Sequence, residues 1–339
     1  MQRIETTPTA AHAPDTARLP TADSRLGAWL FAGGENHNRL YLSRMKEAGI
    51  ERVVYRLAYP TLTDFDPTLA KNRAFYRWLS SQIRNFGMNS VVVVSPQFRD
   101  ENFFRGQPLG EQCSEKHDTA GAISDQLVEI VEHLEPEMIV LDLKPSTIAR
   151  SPGCADQASN IDATRFLQSV LDRAEPGLRA QLAVSVDLTS NAAYRDFVVS
   201  HPEVAIISVS TLDFLDPDPT RFVELWENTA KQIHDAGKRV VSDAFWMRKP
   251  VRLGECPGQP VALSDLADLW RTVDEAIIAR SVDDGEFVAI YETDLVFGGY
   301  LSADQFHCGE GLVLKNRRLS QLSSRMARRY RAPSETGGD

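Results

Sequence analysis

Charged and polar residues stand at the ends of several short apolar runs, where alternation puts them on a common face. In Met138–Lys144, Val140, Asp142 and Lys144 share one side, and Ile139, Leu141 and Leu143 share the other. Ser185 and Asp187 alternate with Val184, Val186 and Leu188, and Ser208 and Ser210 lie in the same way in the following run. Asp243 follows Val240 and Val241 and precedes Phe245 and Trp246, Glu292 and Asp294 follow Val288 and Ile290, and Val54 and Arg56 share a face. Carboxyl groups can move protons or attack carbon. A lysine with a depressed pKa can form a Schiff base with a carbonyl. Charged groups are seldom buried unless paired. A ring of Arg56, Asp142, Lys144, Asp187, Asp243, Glu292 and Asp294 therefore reads either as a structural ion-pair network or as an active site.

The elements that must carry these residues follow a regular rhythm of apolar run, polar loop and amphipathic stretch, which points to βαβ units and a parallel sheet. Eight runs read as strands: Ala28–Ala32, Arg52–Ala58, Ser90–Ser95, Met138–Lys144, Gln181–Asp187, Ala205–Ser210, Arg239–Phe245 and Glu286–Glu292. Helices are expected at Asn38–Ala48, Pro67–Phe86, Ala120–Leu134, Asp162–Ala174, Ala192–Val199, Pro219–Ala236, Ser264–Arg280 and Lys315–Arg331. Gly49, Gly87 and Gly237 stand where helix C-caps belong. Eight repeats predict a single (β/α)₈ TIM barrel with extended βα loops over residues 25–331, the active site lying where strands end. An open doubly wound sheet is the alternative, but no glycine-rich phosphate loop follows the first strand. Residues 1–24 read as a disordered arm and 332–339 as a flexible tail.

The chain has 339 residues, 42% of them hydrophobic, enough for a large core, and a formal net charge of -10. An acidic surface argues against non-specific binding to nucleic acid or to anionic membranes. No apolar run approaches the ~20 residues that span a bilayer. The first 24 residues lack the apolar centre of a signal peptide, so a cytoplasmic location is expected unless a signal has been removed. Long loops after the third, seventh and eighth strands suit a partly closed pocket for a small ligand.

The order of motifs resembles the retaining glycoside hydrolases with (β/α)₈ barrels, the clan that includes endoglucanases and β-xylosidases. Asn38–Ala58 is similar to that clan's first helix and second strand, Tyr291–Leu295 to its eighth strand, and Gly311–Tyr330 to its closing turn and helix. By this resemblance Arg56 matches the arginine that orients the nucleophile. The catalytic positions depart from the clan: its strand-four acid/base glutamate is matched by Lys144 in Leu143-Lys144-Pro145, and its strand-seven nucleophile by Asp243. Retaining hydrolysis needs two carboxyl groups about 5 Å apart, and an ammonium with an unperturbed pKa of roughly 10.4 is a weak acid near neutrality.

Three readings follow. In the first, a glycosidase-like enzyme acts on a sugar or sugar-derived small molecule. Asp243 is nucleophile or base, and Glu292 or Asp142 is the substitute acid. Arg56, Asp187 and Asp294 bind hydroxyls, and Trp246 or Trp29 stacks on a sugar face or packs at the rim. In the second, Lys144 supports lyase, aldolase or isomerase chemistry on a carbonyl, set against its being an ammonium paired to Asp142 or Asp187. The third is a pseudoglycosidase that binds carbohydrate or a protein without turnover. His37, just past the first strand, stands where a substrate-binding residue could sit, set against its being a loop histidine with no role. Cys113, Cys154, Cys256 and Cys308 fall in loops on the active-site face, and pairs 113–154 and 256–308 are conceivable, as are free thiols. His117 and His307 near cysteines give no usual zinc spacing, so no metal and no cofactor are expected.

Overall fold

The computed structural model describes residues 26–30, 33–47, 50–59, 61–64, 66, 68–96, 119–149, 163–179, 181–211, 219–245 and 288–290, with the backbone alone at 26, 119, 149, 219, 220, 222, 223, 243–245 and 288–290. The strands are β1 (Leu26–Trp29), β2 (Arg52–Ala58), β3 (Asn89–Ser95), β4 (Met138–Leu141), β5 (Leu182–Asp187), β6 (Ile206–Ser210), β7 (Arg239–Phe245) and β8 (Val288–Ile290). They form a closed barrel in chain order, every neighbouring pair parallel and β8 returning to β1. The helices are α1 (Glu35–Glu47), α2 (Leu69–Asn85), α3 (Thr119–Leu134), α4 (Pro145–Ala149), α5 (Ala163–Arg173), α6 (Pro176–Arg179), α7 (Ala192–Ser200) and α8 (Pro219–Asp235). The expected helices at Ser264–Arg280 and Lys315–Arg331, the arm 1–24 and the tail lie outside the described residues.

Two shells of apolar side chains hold the barrel. Inside it, Trp29, Val54, Val91, Val93, Met138, Val140, Ala183, Ile206 and Val241 form one buried cluster. Outside it, the alternate strand residues, among them Val53, Tyr55, Val92, Val94, Ile139, Leu141, Val184 and Ile207, pack with helix residues such as Leu42, Leu79, Ile83, Ile123, Leu127, Leu167, Val198 and Ile233. A parallel strand covered on both faces reads as an unbroken apolar run, and Val91–Val94 is such a run. Fully burying each such valine is worth roughly 1.5–3 kcal/mol. At the N-terminal ends of the strands, Arg52 Nε and Nη2 grip the Glu137 carboxylate at 3.0–3.1 Å, both side chains almost wholly buried.

Several element ends differ from expectation for local reasons. The fourth strand stops at Leu141 instead of running to Lys144, because the chain turns at once into α4: the Lys144 carbonyl accepts from the N–H groups of Thr147 (3.0 Å) and Ile148 (3.1 Å). Pro145 opens that helix, a position where a missing N–H costs nothing. The first helix begins at Glu35, three residues before Asn38. Asn38 caps from within: its Oδ1 accepts from the Gly33 N–H at 2.8 Å and its Nδ2 donates to the Gly33 carbonyl at 2.9 Å. Gly87 and Gly237 follow α2 and α8 with φ of 67° and 73°, the left-handed stop expected of them. Gly49 lies outside the described residues.

Candidate active site

The site is built at the C-terminal ends of the strands from residues in phase with the inner cluster. Counting outward in steps of two, Val54 leads to Arg56, Val93 to Ser95, Val140 to Asp142 and Lys144, Ala183 to Ser185 and Asp187, and Ile206 to Ser208 and Ser210. The register sets Arg56 beside Val93, Ala58 beside Ser95, and Asp187 beside Ser210.

At the β2–β4 side, Asp142 is the hub. Its Oδ1 accepts from Lys144 Nζ at 2.5 Å and from Thr147 Oγ1 at 2.7 Å, and its Oδ2 accepts from Arg56 Nη2 at 3.3 Å. Asp142 is 1% exposed and Lys144 4%. Burial works to raise the Asp142 pKa, but the charges of Lys144 and Arg56 and the hydrogen bonds from Lys144 and Thr147 outweigh it and hold the carboxyl below its ordinary value. Lys144 Nζ also reaches Ser185 Oγ at 3.3 Å. Of the two aspartates proposed to pair with Lys144, Asp142 is the partner.

At the β5 side, Asp187 is held by neutral donors. Ser146 Oγ (2.6 Å), Ser190 Oγ (3.0 Å) and Asn191 Nδ2 (2.8 Å) all converge on its Oδ2. Asn191 adopts a left-handed backbone, φ 55° and ψ 46°, to do this, a conformation in which asparagine is among the better tolerated residues. Among the described residues no donor is directed at Oδ1. Tyr194, on α7, is buried with its hydroxyl unpaired among the described residues; burial first, then the charges of Asp142 and Asp187, push its pKa up.

Trp29 is 2% exposed and belongs to the inner cluster, and the Arg56 guanidinium lies 5.3 Å from its ring centroid. Of the two readings of this residue, packing is the one its burial supports: the ring has no open face to offer a sugar, and it serves as the floor on which Arg56 rests. His37 sits in the first turn of α1, 4.5 Å from the ring of Tyr41, and packs so tightly on Gly33 that a Cβ there would approach its Cδ2 to 2.8 Å. Burial lowers its pKa, and among the described residues its Nε2 meets no partner and no hydrogen bond joins it to the Asp142 network.

Asp243 lies in β7, whose backbone alone is described there. Trp246, Glu292 and Asp294 lie outside the described residues, as do the four cysteines, His117 and His307. Sequence reasoning missed Ser146, Thr147, Ser190 and Asn191. The signal was present: Asp187-Leu188-Thr189-Ser190-Asn191 and Pro145-Ser146-Thr147 are turn-forming clusters directly after strands. Among the described residues no three of His, Cys, Asp and Glu gather as a metal site would require, and no helix is long and apolar enough to cross a membrane.

No family model and no curated protein sequence matches this chain. Solved structures do. A beta-glycosidase aligns over 96% of this chain and 93% of its own at 12% identity and a TM-score of 0.56. A beta-glucosidase from Exiguobacterium marinum aligns over 90% and 97% at 12% identity and a TM-score of 0.58. Fungal beta-1,4-galactanases align over 87% and 91% at 12% identity and a TM-score of 0.54. At such identities the likeness is one of fold: the chain has the (β/α)₈ barrel that these glycosidases use.

Proposed function

We propose that the chain is a glycosidase-like enzyme acting on a sugar or sugar-derived small molecule at the C-terminal mouth of its barrel. The observation that carries this reading is Asp187. Three neutral donors fix one of its oxygens, and the other stays free of described donors at the place where such barrels bind substrate. An oriented, acceptor-only carboxylate of this kind suits sugar hydroxyls, which are donors.

In this reading Asp243, at the clan's nucleophile position on β7, attacks the anomeric carbon or activates water. Glu292 is assigned the proton donor. Asp142, the other candidate acid, is better suited to a different part. Held ionised by Lys144 and Arg56, it has no proton to give near neutrality, and it acts as their counter-charge. Lys144 binds as an ammonium, and its short bond to Asp142 disfavours the neutral amine that Schiff-base chemistry needs. No observation favours the carbonyl-chemistry or the purely binding alternative over this one.

The test is a panel of nitrophenyl glycosides. Nitrophenolate leaves with little protonation, so a site with an atypical acid still cleaves these if its nucleophile works. The reading predicts hydrolysis of at least one member, and alkyl glycosides of the same sugar should react far more slowly. A panel uniformly at the blank rate, with borohydride trapping a carbonyl substrate on Lys144, would replace this reading with the carbonyl one.

A further inference from the structure

The floor of the barrel, at the N-terminal ends of the strands, holds a buried histidine whose protonation state is dictated by its surroundings. His201 caps the C-terminal end of α7 and is 7% exposed. Turn 201–204 follows it, closed by the Val204 N–H on the His201 carbonyl at 3.3 Å, and leads into β6. Both ring nitrogens are in use. Nδ1 accepts from the Glu203 backbone N–H at 3.2 Å, and Nε2 lies 2.9 Å from Gln168 Oε1 on α5. A backbone N–H can only donate, so Nδ1 must keep its lone pair. The proton of the neutral ring is then on Nε2, where Gln168 accepts it.

The imidazolium does not fit this arrangement. Both of its nitrogens donate, so either orientation of the ring sets an N–H against the Glu203 N–H. The charged groups around the ring come from every element that packs on it. Burial, the largest influence, lowers its pKa; Glu203 raises it, Lys238 lowers it, Asp172 on α5 raises it and Arg179 on α6 lowers it, and the sum lies below the ordinary value. The Glu203 carboxylate is itself engaged by Arg179 Nη1. Phe197, one turn earlier on α7, packs against the ring with 5.5 Å between centroids.

The same turn has a second task. Lys238, 9% exposed just before β7, donates from Nζ to the carbonyls of His201 and Val204. The Arg239 N–H, first in β7, donates to the Ala205 carbonyl at 3.0 Å. Turn 201–204 is therefore the joint between α7, β6 and β7, and a displaced turn would leave the buried Lys238 ammonium without its acceptors, which is costly.

We infer that His201 is a pH-sensitive latch: neutral, it fastens turn 201–204 to α5 and keeps the acceptors of Lys238 in place, and protonated, it lets the turn go. The latch lies at the opposite end of the strands from the candidate active site and stands whether or not that site turns over a sugar. Because the folded pKa lies below the unfolded one, the latch contributes its stability in full above the unfolded value of about 6.5 and loses it as pH falls through the folded value. The barrel is thereby firm at neutral pH and above and loosens at this joint in mildly acidic surroundings.

Two readouts on the full chain test this. The first is urea unfolding of wild type and His201→Asn between pH 8 and pH 5. Asparagine offers Oδ1 to the Glu203 N–H and takes up no proton. Relative to this variant, the wild-type folding constant should fall once pH drops below about 6.5, approaching tenfold per pH unit until the folded pKa is reached. A ratio that stays constant over that range, or that rises with acid, overturns the inference. The second readout needs no variant: hydrogen exchange of the wild type by mass spectrometry, corrected for the intrinsic pH dependence of exchange. Between pH 8 and pH 5, peptides covering residues 199–206 should lose several-fold more protection than peptides from β2 and β3. An equal loss in all of them overturns the latch even where His201→Asn does not fold.

Discussion

Asp142 illustrates how a single residue sets the character of the site. A carboxylate 1% exposed would ordinarily be driven toward its neutral form, yet here two cations and a threonine hydroxyl keep it charged. The direction of the shift has a consequence for stability. The folded pKa lies below the unfolded one, so this carboxylate contributes stability above its unfolded pKa of about 4 and loses it as pH falls through the folded value. Asp142→Asn should therefore flatten the acid limb of the stability curve, measured by urea unfolding between neutral pH and the acid transition. Near neutrality the same substitution takes the Asp142 counter-charge from Lys144 and Arg56, and a loss of roughly 3–5 kcal/mol is expected. A variant as stable as the wild type at neutral pH, with an unaltered acid limb, would mean that the three groups do not act as a unit. Asp142 and Lys144 were legible as inward-facing residues because the fourth apolar run alternates cleanly. Their pairing was not, since Lys144 had two aspartates in prospect and only the turn into α4 decides between them.

At the scale of elements, the strand ends matter more than the strands. The turn from β5 into α7 places a non-glycine residue, Asn191, in a left-handed conformation and spends its side chain on Asp187. Two contributions can be separated there. Asn191→Gly keeps the backbone conformation at ease and removes only the hydrogen bond, whereas Asn191→Ala removes the bond and strains the backbone. The glycine variant should keep its Tm within a few degrees and raise KM several-fold for the best substrate, with kcat less affected. The alanine variant should lose about 1–2 kcal/mol of stability in addition. An unchanged KM in Asn191→Gly would show that Asp187 does not need to be held. Most element positions were legible because the sequence switches between period-two and helical patterning at each boundary. The errors fell where a side chain overrides the pattern: Asn38 acts from inside α1 instead of before it, and Pro145 starts a five-residue helix too short to leave a periodic trace.

The whole molecule separates stability from chemistry along the barrel axis. At the N-terminal ends of the strands Arg52 and Glu137 form a bidentate and almost wholly buried pair. At the C-terminal ends Asp142, Lys144 and Asp187 are buried in hydrogen-bonded clusters and Arg56 keeps part of its side chain exposed. Glu137→Ala should thus cost roughly 3–5 kcal/mol in unfolding free energy while the folded fraction keeps its KM and kcat; a large change in either constant at full folding would deny the separation. The barrel itself was legible in the eight-fold rhythm of the sequence, and the closed order of strands follows it. The pairing of Arg56 with Asp142 and of Ser146 with Asp187 was not, because a sequence gives the parity of a residue on its own strand but not which neighbour it meets across strands.

The account rests on this mouth being a place where a sugar is turned over, with Asp243 as the group that attacks. Hydrolysis of the best nitrophenyl glycoside by wild type and by Asp243→Asn, measured side by side on folded protein, tests that most directly. A fall of at least about a hundredfold in kcat, with KM little changed, is the predicted result. Equal rates in the two proteins would contradict the account, since a barrel that cleaves glycosides without Asp243 does its chemistry with other groups.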